Sequence, residues 1–190
     1  METTTLSRLN LDKLRQIIVL LTRLPEERVL DGSVYTDVSK WDDFITVTPL
    51  VSHSIGTEVK FEAENSREVV TTTRETTVSI TAQGKQAFLL IEDLAAQMHT
   101  YLALQQLKAM GAGLVHGSEI QYFPEEEPEG KQQRAQLNLT LSHIHRIESS
   151  LTYGESVVIT TLKEPLWVYL LKRSLMHKFY PKRQPCNVVI

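Results

Sequence analysis

The stretch Val70-Thr-Thr-Thr-Arg-Glu-Thr-Thr-Val-Ser-Ile-Thr-Ala82 decides the fold. Its even positions end Thr76, Val78, Ile80, Ala82, and its odd positions run Thr71, Thr73, Glu75, Thr77, Ser79, Thr81. That period of two is the mark of a strand with one apolar face and one Thr-rich face, turned to water or to a polar partner. The same alternation returns at Gln133 to Ile147, where Ala135, Leu137, Leu139 and Leu141 fall on one side and Arg134, Gln136, Asn138, Thr140 and Ser142 on the other. Two half-buried strands of this length require a sheet with something apolar laid over one face.

Outward from Val70, residues 41–82 read as strands. Phe44, Val47, Ile55, Val59, Phe61, Val69 and Val70 favour extended backbone, Pro49 and Gly56 punctuate the run, and the charged stretch Glu62 to Arg67 is a loop. A strand is expected from Leu114 to Phe123. It should pair with Gln133–Ile147 around an acidic loop, Pro124-Glu-Glu-Glu-Pro-Glu-Gly130, and Ser156–Leu162 should complete the sheet.

Helical spacing marks three segments. Leu11, Leu14, Ile17, Ile18 and Leu21 predict a helix over Leu6–Leu24, capped by Asn10 or Ser7 and stopped by Pro25. Glu26–Lys40 is polar, carries the turn Asp31-Gly32-Ser33, and reads as a loop. Ala87, Leu90, Ile91, Leu94, Ala95, Met98, Tyr101, Leu102 and Gln105 predict one long helix from Gly84 to about Met110, roughly 40 Å at 1.5 Å per residue. Gly111-Ala-Gly113 ends it. Pro165 suits the first turn of a third helix, Leu166 to about His177. The expected fold class is α+β: a mostly antiparallel sheet flanked by an N-terminal helix and one long central helix, with a C-terminal helical or extended tail.

Composition sets the outer bounds. The chain has 190 residues, 42% hydrophobic and 23% charged, enough for a core without staples. Apolar runs such as Ile17–Leu21 are too short for a bilayer, and the N-terminus lacks a basic start, so no membrane partner and a reducing cytosol are expected. A single cysteine, Cys186, makes no internal disulfide. The net charge of −3 conceals an asymmetry. Residues 165–190 hold five basic side chains and no acid, leaving 15 Lys/Arg against 23 Asp/Glu, a balance of −8, in residues 1–164. The division expected is a body, 1–163, and a basic, aromatic extension, 164–190. Nucleic-acid-binding domains carry a basic body, which this chain lacks.

Tests for chemistry mostly fail. His143 and His145 point to one face of a strand and would suit zinc or iron, but no further ligands cluster near them in sequence. A small metal-binding enzyme built on this pair is the alternative from another class. No Gly-x-Ser-x-Gly elbow is present, and Cys186 has only His177, nine residues before it, as a base. Gly111-Ala-Gly113 follows a helix and precedes a strand, the reverse of a dinucleotide fold, and the acidic loop does not match a calcium-binding spacing. No catalytic residue, cofactor or metal is assigned. What remains is surface. Trp167, Leu170, Leu171, Arg173, Phe179 and Tyr180 give the extension more apolar and aromatic area than a free tail exposes, so they are the candidate interaction residues.

The order of segments, with Arg74-Glu-Thr-Thr-Val-Ser-Ile-Thr-Ala-Gln-Gly84 leading into the helix at Lys85, Gly113-Leu-Val115 to Glu119-Ile-Gln121, and Arg134-Ala-Gln-Leu-Asn-Leu-Thr-Leu141, resembles the neck-terminator or tail-terminator proteins of tailed bacteriophages over roughly residues 8–162. The resemblance implies an α+β structural protein of the virion, assembled in the host cytoplasm into a ring, usually a hexamer, that caps the tail tube and presents it to the head connector or a neck protein. It also puts a sheath among the candidate partners, and implies DNA passing through the lumen without sequence-specific binding. Another neck level, a head-completion or connector protein, is the structural alternative. The extension after Glu164 is outside the pattern.

Overall fold

The computed structural model describes residues 2–127 and 130–151. In chain order they form strand β1 (Thr3–Ser7), helix α1 (Leu11–Thr22), a 3-10 turn (Glu26–Arg28), β2 (Val29–Asp31), β3 (Asp43–Glu62), a second 3-10 turn (Ala63–Asn65) and β4 (Arg67–Gly84). Helices α2 (Ala87–Gln97) and α3 (Tyr101–Ala109) follow, then β5 (Ala112–Gly117), β6 (Gln121–Glu127) and β7 (Gly130–Ser150). One sheet contains all seven strands, ordered β1-β7-β4-β3-β2, with β5 and β6 also pairing along β7. All pairings are antiparallel except β2 with β3.

The period-two stretches are the spine of this sheet. Val78, Ile80 and Ala82 of β4 lie fully buried beside Ala135, Leu137, Leu139 and Leu141 of β7 and Ile45 and Val47 of β3. The helices cover that face with Leu14, Ile17, Ile18 and Leu21 of α1, Ile91 and Leu94 of α2, Met98, and Ala103 and Leu107 of α3. The other face is polar: rows such as Thr46-Thr81-Gln136 and Thr48-Ser79-Asn138 cross three strands.

The expectation of an α+β fold with one long central helix is overturned. The architecture is mostly β, a curled sheet carrying three short helices. The chain leaves helical geometry after Met98, and Thr100 (φ −72°, ψ 154°) starts α3 as a new N-cap, its hydroxyl accepting the Ala103 amide. The buried positions give the reason. Ala87, Ile91, Leu94 and Met98 keep a spacing of three and four, but the next buried residue is Ala103, five further on. A continuous helix would have turned Leu102 inward, and Leu102 is exposed.

Other boundaries shift for similar local reasons. The first helix starts at Leu11, not Leu6, with the Asn10 carboxamide accepting the Lys13 amide. Residues Thr3–Ser7 pair with β7 instead, a placement that suits three β-branched threonines. The expected loop Glu26–Lys40 contains β2, which adds a short parallel edge to β3. The expected strand Leu114–Phe123 is two strands, β5 and β6, separated at Ser118, whose amide and hydroxyl both bond Asn138 backbone. Pro124 lies inside β6, not in a loop, because β6 pairs with β7 alone among the described residues and its other edge needs no donor there. Gly111 (φ +80°) ends α3 as expected. The expected strand Ser156–Leu162, the helix Leu166–His177 and the tail lie outside the described residues.

Candidate assembly surface

Strands β3, β4 and β7 have 18 to 21 residues and so run about 60–70 Å at about 3.3 Å per residue, whereas α2, with 11 residues, covers about 16 Å. The sheet therefore outruns its helices. Beyond Thr76 it continues as a four-stranded arm, β1-β7-β4-β3, without a helix on either face among the described residues. Every residue of β3 from Pro49 to Phe61 is exposed.

Register sorts the arm into two unlike faces. On the side continuous with the core, Val59, Val70 and Ile147 make one row across three strands, with Phe61 beyond Val59 on β3. Phe61 keeps 64% and Val59 58% of their surface in water. Thr57 and Thr72 sit beside them with hydroxyls 3.3 Å apart. The opposite face is charged. Arg67 donates to Glu62 at 2.6 Å and to Glu148 at 3.1 Å, Lys60 lies 3.7 Å from Glu62, and Arg146 donates to Thr71 at 3.2 Å. The Arg67 hydrogen bond, with help from Asn65, holds the Glu62 carboxyl below its usual range. Leu6 of β1 and Glu58 of β3, at opposite edges, line one groove on this face.

Where arm and core meet, a polar cluster replaces apolar packing. His143 is buried, and its Nε2 lies 2.9 Å from the Thr76 hydroxyl, which in turn donates to Ser52 at 2.7 Å. Arg74 donates to the Ser52 hydroxyl at 3.0 Å and to its carbonyl at 3.2 Å. Burial pushes the His143 imidazole below its ordinary value, and the charges of Arg74 and His145 act in the same direction. His145 lies two positions along the same face of β7, as the His-x-His spacing implies, but no group of three or more His, Cys, Asp or Glu among the described residues can hold a metal ion. His143 belongs to a hydrogen-bonded junction with Thr76 and Ser52.

Trp167, Leu170, Leu171, Arg173, Phe179 and Tyr180, the interaction residues expected from sequence, lie outside the described residues. Sequence reasoning missed the arm itself. Its signal was present in Val51, Ile55, Val59 and Phe61, β-favouring residues whose strand is longer than any of the described helices. None of the described helices is long and apolar enough to cross a membrane.

Comparison with known proteins gives one result that bears on these surfaces. The family described as phage neck terminator protein matches residues 12–165. A search of curated proteins found no match.

Proposed function

From the premise that this chain belongs to the phage neck terminator protein family, and is thus a structural protein of the virion neck, we propose that copies of it close into a ring, hexameric in number, that caps the tail tube. One face of the ring is complementary to the end of the tube; the other offers tube subunits no partner, so polymerisation stops, and it receives the head connector. The observation that supports this reading is the arm: a long amphipathic sheet with a charged face and, on the other, an apolar row that leaves Val59 and Phe61 in water suits a protein whose surface is completed by neighbours.

In the ring, a few buried aromatic and arginine anchors supply most of the contact energy. Residues 164–190, with five basic side chains against an acidic body, contribute a contact to the adjacent subunit or neighbouring ring through Trp167, Leu170, Leu171, Arg173, Phe179 and Tyr180. The acidic balance of residues 1–164 suits a channel wall, because like charge keeps passing DNA from adhering. The test is to add the purified chain to growing tail tubes: tubes should stop lengthening and carry a ring at one end. Tubes that lengthen unchanged would refute the reading.

A further inference from the structure

Among the described residues, both outer strands of the arm end in open edges. Beyond Val47, where β2 stops pairing, the outer side of β3 has no strand partner among the described residues. At the other margin, β1 pairs with β7 alone among the described residues, and all five of its residues are exposed. An unpaired edge is a row of backbone donors and acceptors ready to pair with another chain, and proteins usually blunt it with bulges, proline or charge. The first part of the β3 edge is blunted in this way: Pro49 lies there, and the register slips at Pro49/Val51 and Ser54/Gly56. From Gly56 to Glu62 the pairing with β4 runs unbroken. That leaves seven residues of regular edge, against five in β1.

We propose that the Gly56–Glu62 edge of one copy takes β1 (Thr3–Ser7) of the next copy as an added antiparallel strand. Strand direction supports this occupant. β1, β7, β4 and β3 alternate in direction, since each adjacent pair is antiparallel, so β1 runs opposite to β3. A rotation about an axis along the strands preserves direction and therefore brings β1 of the neighbour to β3 antiparallel, without a break in alternation. The two edges differ, so the contact is heterologous and repeats head to tail until rotation closes it. Main-chain hydrogen bonds provide the contact, and the row Val59-Val70-Ile147 is extended across the junction. The inference rests on the ring reading for the existence of an oligomer, but it assigns the surface independently.

Cysteine pairs test it in the full chain with Cys186 replaced by serine. Thr4 lies on the charged face of the arm in the same row as Lys60, and Val59 lies on the opposite face. Within one copy β7 and β4 separate β1 from β3 by about 14 Å, too far for a disulfide. Oxidation of T4C/K60C or T4C/E58C on tail tubes should give a ladder of covalent oligomers that ends at the ring size, and T4C/V59C should give none. Deleting residues 2–7 should abolish oligomers while the thermal transition remains cooperative. Oligomers of normal mass that do not cross-link in either expected pair, or that survive the deletion, would overturn the edge assignment and leave the ring reading standing. A chain that stays monomeric on tubes before any substitution would overturn both.

Discussion

Replacing Phe61 with alanine separates the two halves of the sheet most sharply. Phe61 keeps 64% of its surface in water, so about a third of the roughly 200 Å² a phenylalanine can bury is withdrawn. At about 25 cal/mol per Å² that is an upper bound near 1.5–2 kcal/mol, and alanine retains part of it, leaving a loss of about 1 kcal/mol. Leu139, on the same sheet but under the helices, is 1% exposed. Its truncation removes the same kind of apolar surface and leaves a cavity, for about 2–5 kcal/mol. Urea unfolding of both variants, with equal m-values, measures the contrast directly. Assembly on tail tubes should show the reverse order among folded protein: Phe61→Ala weakens it strongly, and Leu139→Ala only to the extent that folding is lost. If Phe61→Ala costs as much folding energy as Leu139→Ala, the arm is packed against its own chain and is no surface for a neighbour.

Three further outcomes follow from the same geometry. Thr100→Ala removes the hydroxyl that caps α3 and should cost about 1 kcal/mol in urea unfolding, whereas a continuous helix would be stabilised by the better helix former. The His143 imidazole is held below its ordinary value, so between about pH 6.5 and the lower folded value the unfolded chain binds the extra proton. Stability should be full above about pH 6.5 and fall as pH drops, by at most about 1.4 kcal/mol per pH unit from this group, and His143→Gln should remove that slope in urea midpoints taken from pH 7 to 5. Deleting residues 164–190 should leave a cooperative thermal transition and weaken assembly; a truncated chain that assembles as well as the whole one would remove the extension from the account.

What was legible in the sequence was what two-residue alternation records. The inward residues of β4 and β7 were readable because each apolar side chain is flanked by polar ones. The break between α2 and α3 was not, since Leu90, Ile91, Leu94, Ala95, Met98, Tyr101 and Leu102 satisfy a helical period whether or not the chain stays helical. Only burial shows that Leu102 is outside and Ala103 inside. Thr100 is an ordinary residue in a helix and becomes informative as a cap once the break is seen. Pro49 and Gly56 mark register slips within one strand, not strand ends, because an outer edge tolerates a missing donor and a local bend. Leu6 and Leu9 fit the spacing of α1, and the preference of three threonines for extended backbone decided otherwise through pairing with Ile147, Glu148 and Ser149, distant in sequence. Such a long-range pairing leaves no trace in a local window. The assembly surface was unreadable for a related reason: Val59 and Phe61 look like core in sequence, and are exposed because the sheet extends past its helices.

The most direct test is imaging of tail tubes grown with and without this chain. With it, the tubes should be of uniform length, and each should carry at one end a closed ring of this protein with its arms joined edge to edge. Tubes that reach the same uniform length without the protein, or ends that bind no copy of it, would contradict the account.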